Sequence, residues 1–176
     1  CRPYRLLPSL RRGSIMKLYH GSTVDITEID LQQSKPNKDF GRGFYLSADK
    51  EQALAMAAYK AEQLDATPII NVYEFDESLL SADTTFRVKF FDTYNKEWAD
   101  FIFANRNNTS TQPAHDYDIV VGPIANDRVG LQIRRYMEHE IDLDTFVERL
   151  KYMKGITIQY FFGTARAVRL LKKTYE

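Results

Sequence analysis

The sequence predicts an α+β fold in a single domain, and three observations predict it. Strand-like and helix-like segments are interspersed without the regular alternation of a doubly wound parallel sheet. The chain has 176 residues, the length of one domain that can close a core. No repeat, low-complexity tract or linker divides it.

The elements follow in order. Residues 1–15 carry Arg2, Arg5, Arg11 and Arg12 without an acid. Their apolar stretch, Leu6-Leu7-Pro8-Ser9-Leu10, is too short and too broken for a signal peptide. They read as an upstream extension, expected to be poorly ordered, ahead of a domain spanning 16–176. Lys17 to Ser22 is a short strand ending in a turn. Ser34 to Asp39 is a polar loop, and Phe40 to Ser47 a glycine-containing loop that runs into a strand. Asp49 to Leu64 is a helix with a small apolar face of Ala53, Leu54, Ala57, Ala58 and Ala61, capped by Ser47 or Asp49. Ile69 to Phe75 alternates and is β-branched or aromatic, so it is a strand, and Thr84 to Phe91 reads as another. Lys96 to Asn105 is a helix with Trp98, Phe101 and Ile102 at core spacing. Tyr117 to Val121 is a buried strand stopped by Gly122-Pro123. Helices are expected from Asp127 to His139 and after Asp142, with Phe146, Val147 and Leu150 inward. Ile156 to Phe162 is a strand, and Thr164 caps a last helix through Lys173.

Composition removes several function classes. Lys+Arg and Asp+Glu balance at 24 each, so there is no overall basic field for non-specific nucleic-acid binding. Cys1 is the lone cysteine, which excludes a disulfide framework or a cysteine metal site within the chain and suits a reducing, cytoplasmic setting. No apolar run has the length of a membrane-spanning helix. No His/Asp/Glu cluster has metal-ligand spacing, so no metal is expected. The aromatic share of 13 % is rich, and aromatic faces stack on bases and nicotinamide, although most of these rings belong to the core.

Two segments carry chemistry. In Leu18-Tyr19-His20-Gly21-Ser22 a strand-end histidine presents its ring to a cleft, and the glycine lets a ligand approach the backbone. In Asp39-Phe40-Gly41-Arg42-Gly43-Phe44-Tyr45-Leu46-Ser47 two glycines make a pliable loop before an aromatic pair. This is not the dinucleotide fingerprint, because position 46 is leucine and the segment leads into a strand where that motif opens a helix.

Together these segments resemble the first two motifs of the PARP-like (diphtheria-toxin-type) branch of the ADP-ribosyltransferase superfamily. With Val121 to Asp127 and Ile158-Gln159-Tyr160-Phe161-Phe162, the chain looks like an uncharacterised bacterial group of that branch over residues 16–173. The resemblance implies two small antiparallel sheets around an NAD cleft with peripheral helices. It implies that His20 bonds a ribose hydroxyl, that Gly21 offers backbone contacts to the nicotinamide amide, that Ser22 and Gly43 belong to the NAD-binding residues, that Tyr45 stacks on nicotinamide, and that Ser47 supplies a hydroxyl contact. NAD would be the substrate and ADP-ribose would pass once to a protein or nucleic-acid acceptor, with a toxin-type role and a covering antitoxin as one arrangement. The departure is Gln159, which stands where the family places a glutamate. Glutamine bonds a ribose hydroxyl but cannot act as a base. Single transfer, NAD hydrolysis and binding without turnover all remain open; the rival readings are a non-catalytic NAD or ADP-ribose binding module and an interaction protein. Asn126 and Asp127 read as helix-capping residues, Glu97 as first-turn charge and the acid next in line should Gln159 fail, Arg134-Arg135 as a solvated helix face, and His115 and His139 as surface residues.

Overall fold

The structure is a computed structural model that describes residues 14–81, 85–153 and 156–176. Most of the upstream extension, and Thr84 at the start of the expected fourth strand, lie outside the described residues. The described elements are β1 (Ile15–Ser22), β2 (Phe44–Leu46), α1 (Lys50–Leu64), β3 (Ile69–Asp76), β4 (Val88–Phe90), α2 (Lys96–Arg106), β5 (Ile119–Pro123), α3 (Asp127–Met137), α4 (Leu143–Leu150), β6 (Ile158–Phe162), α5 (Ala165–Val168) and β7 (Lys172–Thr174). The fold is mixed α+β with two small sheets.

The first sheet has the order β1-β3-β7 and is antiparallel throughout. The second has the order β2-β6-β5-β4, and its β4–β5 pair is parallel. The expectation of two purely antiparallel sheets is corrected to one antiparallel and one mixed sheet. A parallel pair needs a long crossover, and α2 together with the loop after it supplies one between β4 and β5.

Alternation along the strands explains the layers. Leu18, Tyr73 and Phe75 of the first sheet meet Phe44, Leu46, Ile119, Val121, Tyr160 and Phe162 of the second in one core. The Phe75–Phe162 and Phe44–Tyr73 ring pairs lock edge to face across it at 5.3 and 5.6 Å. Val120 and Phe161 point to the opposite face of the second sheet, where α2, α3 and α4 cover them with Trp98, Ile102, Phe103, Val129, Ile133, Phe146 and Leu150. Each helix starts where a short polar side chain takes an orphan N–H: Asp49, Asn95, Asn126, Asp142 and Thr164 are all N-caps.

Two sequence expectations shift. The helix expected from Thr164 through Lys173 ends at Val168, and β7 follows. Leu171 is drawn into the core between the sheets, and Lys172 to Thr174 then extend as an edge beside β3. On α1, Ala53, Ala57 and Ala61 are buried, whereas Leu54 stays 38 % exposed and Ala58 is exposed. The inward stripe is narrower than expected because alanines four apart bring the helix close against β1.

That close approach depends on Gly21. A Cβ there would lie 2.1 Å from the Ala53 carbonyl oxygen and 2.7 Å from the Ala57 nitrogen, both backbone atoms that cannot step aside. Gly21→Ala is expected to destabilise the fold by about 1–3 kcal/mol, the usual range for overpacking. Urea unfolding checks this, and an unchanged midpoint would contradict the close helix–strand approach.

Candidate functional site

The seam between the sheets builds the site. Beyond the last residue of β2, Ser47 pairs with Tyr19 of β1 through two backbone hydrogen bonds of 2.8 Å. This bridge brings the end of β1 against β2. The His20 ring stacks on Phe44 at 4.2 Å between centroids, and its Nδ1–H donates to the Tyr45 carbonyl oxygen at 2.6 Å.

That contact determines the histidine's chemistry. A carbonyl oxygen only accepts, so Nδ1 carries the proton. Burial, reinforced by the positive charge of Lys60, pushes the ring's pKa down to about 3 against the pull of the Tyr45 hydrogen bond; Lys38 and Lys173 add smaller repulsions. His20 is therefore neutral, with Nε2 as a bare acceptor. It lines a cleft of about 1560 Å³ together with Gly21, Ser22, Gly43, Tyr45, Ser47 and Gln159. The structure thus brings into one cavity all the residues that the resemblance marked for the site.

Their roles differ in detail from the expectation. Tyr45 does more than offer a ring. Its hydroxyl donates to the Gly41 carbonyl at 2.6 Å and accepts from the Phe40 N–H at 3.0 Å, so it ties down the loop in front of its own strand. Gly41 has φ of +92°, the left-handed region that favours glycine, which is how the loop turns back onto Tyr45. Ser47 is 2 % exposed; its Oγ donates to Gln52 Oε1 and accepts from the Asp49 N–H, so it organises the start of α1. Gly21 presents its bare Cα to α1, and its carbonyl accepts from Lys60 Nζ at 2.8 Å.

Gln159 is the outlier. It lies beside Gly122 in the β5–β6 pairing and shares a face with Phe161, the face that carries Tyr45. It is 9 % exposed, its amide has no hydrogen-bond partner among the described residues, and its polar atoms reach solvent at the cleft it borders. An amide that faces solvent with no protein partner is free to bond a ligand in the cleft. The alternative acids fall away: Glu97 pairs with Lys89, Asp127 sits in the first turn of α3, and neither borders the cleft. Asn126 is a plain N-cap, bonding the Val129 N–H.

Several residues went unnoticed in the sequence. Asp39 bridges Arg106 of α2 at 2.6 Å and accepts from the Ala125 N–H, fastening the loop of residues 34–43 to two other elements. Asn71, fully buried opposite His20, accepts from the Ile26 N–H and donates to the Val24 carbonyl, which shapes the strand-to-loop exit of β1. A polar residue in an otherwise β-branched strand was the signal for it. His115, expected on the surface, is half-buried: its Nε2–H donates to the Phe40 carbonyl at 2.7 Å, and Nδ1 accepts from the Tyr117 N–H. Its local neighbours are polar, so only the long-range contact to Phe40 reveals it. His139 is exposed as expected, and Arg134 is exposed at the cleft mouth. Among the described residues no three His, Cys, Asp or Glu are grouped to hold a metal, and no helix is long and apolar enough to cross a membrane.

Two outcomes follow from this geometry. Between pH 6.5 and about 3 the unfolded chain binds a proton at His20 that the folded chain refuses. The stability the neutral ring contributes is therefore complete above pH 6.5 and is lost as pH falls. His20→Gln should flatten the fall in stability between pH 6.5 and 4, read by urea unfolding at each pH; parallel curves would contradict the neutral, buried ring. Tyr45→Phe should cost about 1–2 kcal/mol through its two lost hydrogen bonds. Hydrogen exchange should then quicken at residues 39–43, and unchanged exchange would show that the hydroxyl does not hold the loop.

Comparison with known proteins adds one finding. The chain matches no curated protein and no solved structure. A family model described as a protein of unknown function (DUF3990) matches residues 16–173, nearly the whole described domain. The chain belongs to the DUF3990 family.

Proposed function

We propose that this domain is an NAD-dependent mono-ADP-ribosyltransferase acting on a protein or nucleic-acid acceptor. The observation that carries the reading is the convergence of His20, Tyr45 and Gln159 on one cleft, each with an unspent capacity suited to a dinucleotide. His20 offers the bare Nε2 to a ribose hydroxyl. Gln159 offers both donor and acceptor atoms of an unpartnered amide. Tyr45 presents an aromatic ring at the wall, backed by Phe161 at 5.2 Å. The resemblance of the two sequence motifs to the PARP-like branch supports the same reading and supplies the fold-level expectation, an ADP-ribosyltransferase-like arrangement of two sheets around an NAD cleft. The single cysteine suits a reducing cytoplasm.

In the proposed reaction the bond between nicotinamide and ribose breaks, its electron pair leaves with the nicotinamide nitrogen, and an acceptor nucleophile closes on the ribose carbon as it loses its proton. The passing state is oxocarbenium-like, as in glycoside hydrolysis. The chain's part is to hold the ribose with His20 and Gln159 and to exclude water. A neutral amide orients a hydroxyl but adds no negative charge, so this site favours a single transfer over chain elongation.

A second reading rests on the same glutamine. Asp39, an acid of the cleft wall, is spent on Arg106 and Ala125, and Gln159 is uncharged. A module that binds NAD or ADP-ribose without turnover, alone or beneath a covering partner such as an antitoxin, fits a cleft without a free buried acid.

Incubation with NAD labelled in its adenosine half separates the two readings. The enzyme should release nicotinamide and leave label on a macromolecule. Gln159→Ala should then lower nicotinamide release about tenfold or more while NAD binding changes by less than about threefold, because the contact matters most as ribose charge develops. Binding of NAD by the wild type with no release above background would establish the binding module instead.

A further inference from the structure

The cleft carries positive charge that the protein leaves unbalanced. Arg106 at its wall is neutralised by Asp39, and Lys173 behind β3 by Asp25 at 2.7 Å. Lys38 and Lys60 have no such partner among the described residues. Lys60, half-buried on α1, donates to the Gly21 carbonyl and makes no ion pair. Lys38, exposed on the loop in front of β2, places Nζ 5.2 Å over the Tyr45 ring. Both border the same cleft, from different walls. The remaining acids of the lining, Glu28, Asp30 and Glu138, are exposed. Lys60, half-buried, is held below its ordinary pKa by burial and then by the charge of Lys38; Lys38 is lowered too, by partial desolvation where it lies against the cleft and then by Lys35; and both repel a proton from His20. Arg134, exposed at the mouth, is a further cation of the lining without an ion pair among the described residues. Lys38 and Lys60 repel each other across the cavity, and an anion between them would relieve that repulsion.

We propose that Lys38 and Lys60 form a two-cation clamp for the diphosphate bridge of a nucleotide ligand. Its identification with the diphosphate of NAD rests on the function proposed above. The ligand chemistry follows from the arrangement. A compact ammonium binds phosphate as a point charge. Two of them on separate walls match a diphosphate diester, which carries one negative charge on each phosphate. His20, neutral on the same cleft, adds no further charge and keeps its acceptor for a hydroxyl. Lys38 closes the clamp from a loop that Tyr45 and Asp39 hold in place, so the anion site and the sugar site share one scaffold.

The test is calorimetry of the full chain with inorganic pyrophosphate, ADP-ribose, NAD and nicotinamide, at low and high salt. Lys38→Met and Lys60→Met should each lower ADP-ribose affinity about tenfold, the equivalent of one charge-assisted hydrogen bond, and leave nicotinamide affinity within about twofold. Lys60→Arg should restore most of the loss, and Lys151→Met, at the end of α4 and away from the cleft, should change nothing. Wild-type binding of NAD that persists unchanged in both methionine variants would overturn the clamp and leave the NAD reading standing. Loss of nicotinamide affinity in step with ADP-ribose would also overturn it, since the lysines would then act through the fold. Lysine-dependent binding of pyrophosphate and ADP-ribose without binding of NAD or nicotinamide would support the clamp and remove NAD as its ligand. No binding of any of the four would overturn both.

Discussion

The bond from His20 to the Tyr45 carbonyl is the contact on which the site depends. It joins the end of one sheet to the edge strand of the other, beside the Tyr19–Ser47 bridge and the His20–Phe44 stack. Leu18 of β1 and Phe44 and Leu46 of β2 belong to the core between the sheets, while His20, Tyr45 and Ser47 beside the seam line the cleft. The same bond sets the histidine's tautomer. Because the ring is desolvated and its Nδ1 proton is committed, Nε2 can only accept. A contact that holds the architecture together therefore also defines what the cleft can recognise.

The loop of residues 34–43 shows the same economy. The Tyr45 hydroxyl holds it at Phe40 and Gly41, the Asp39 carboxylate at Arg106 and Ala125, and the His115 ring at the Phe40 carbonyl. The Phe40 ring is fully buried in the core beneath the second sheet, so the loop is anchored by burial as well as by polar contacts. Burying one such ring contributes on the order of 2 kcal/mol, comparable with the two hydroxyl bonds of Tyr45. Substitutions at Tyr45 or Asp39 therefore act on stability and on the cleft at once, and a loss of binding there is interpretable only beside a measurement of folding. Gln159 is the exception, because its amide bonds to no other group among the described residues.

Much of this was legible from local pattern. Alternation located β1, β3 and β6, the alanine spacing located α1, and Asp49, Asp142 and Thr164 announced their helices, because strand period, helix period and capping are properties of neighbouring residues. His20, Tyr45 and Gln159 were singled out by short motifs that resemble those of a known family, and the structure places all three on one cleft. The limits were equally physical. Residues 169–174 look helical by composition, yet they become a strand because Leu171 enters the core and β3 offers a free edge. Likewise the parallel β4–β5 pair leaves no mark in either strand taken alone.

The sequence by itself determined the α+β class, most element positions and which residues could do chemistry. Tertiary structure decided their states. That Tyr45's hydroxyl is committed and that Ser47 serves a helix follow from how the chain turns back on itself over a few residues. That His20 is neutral, that Asp39 is neutralised and that Lys38 and Lys60 have no ion pair among the described residues follow from groups on other elements. Protonation and hydrogen-bond capacity are set by the atoms within a few ångströms of a group, and only the packed chain brings those atoms together.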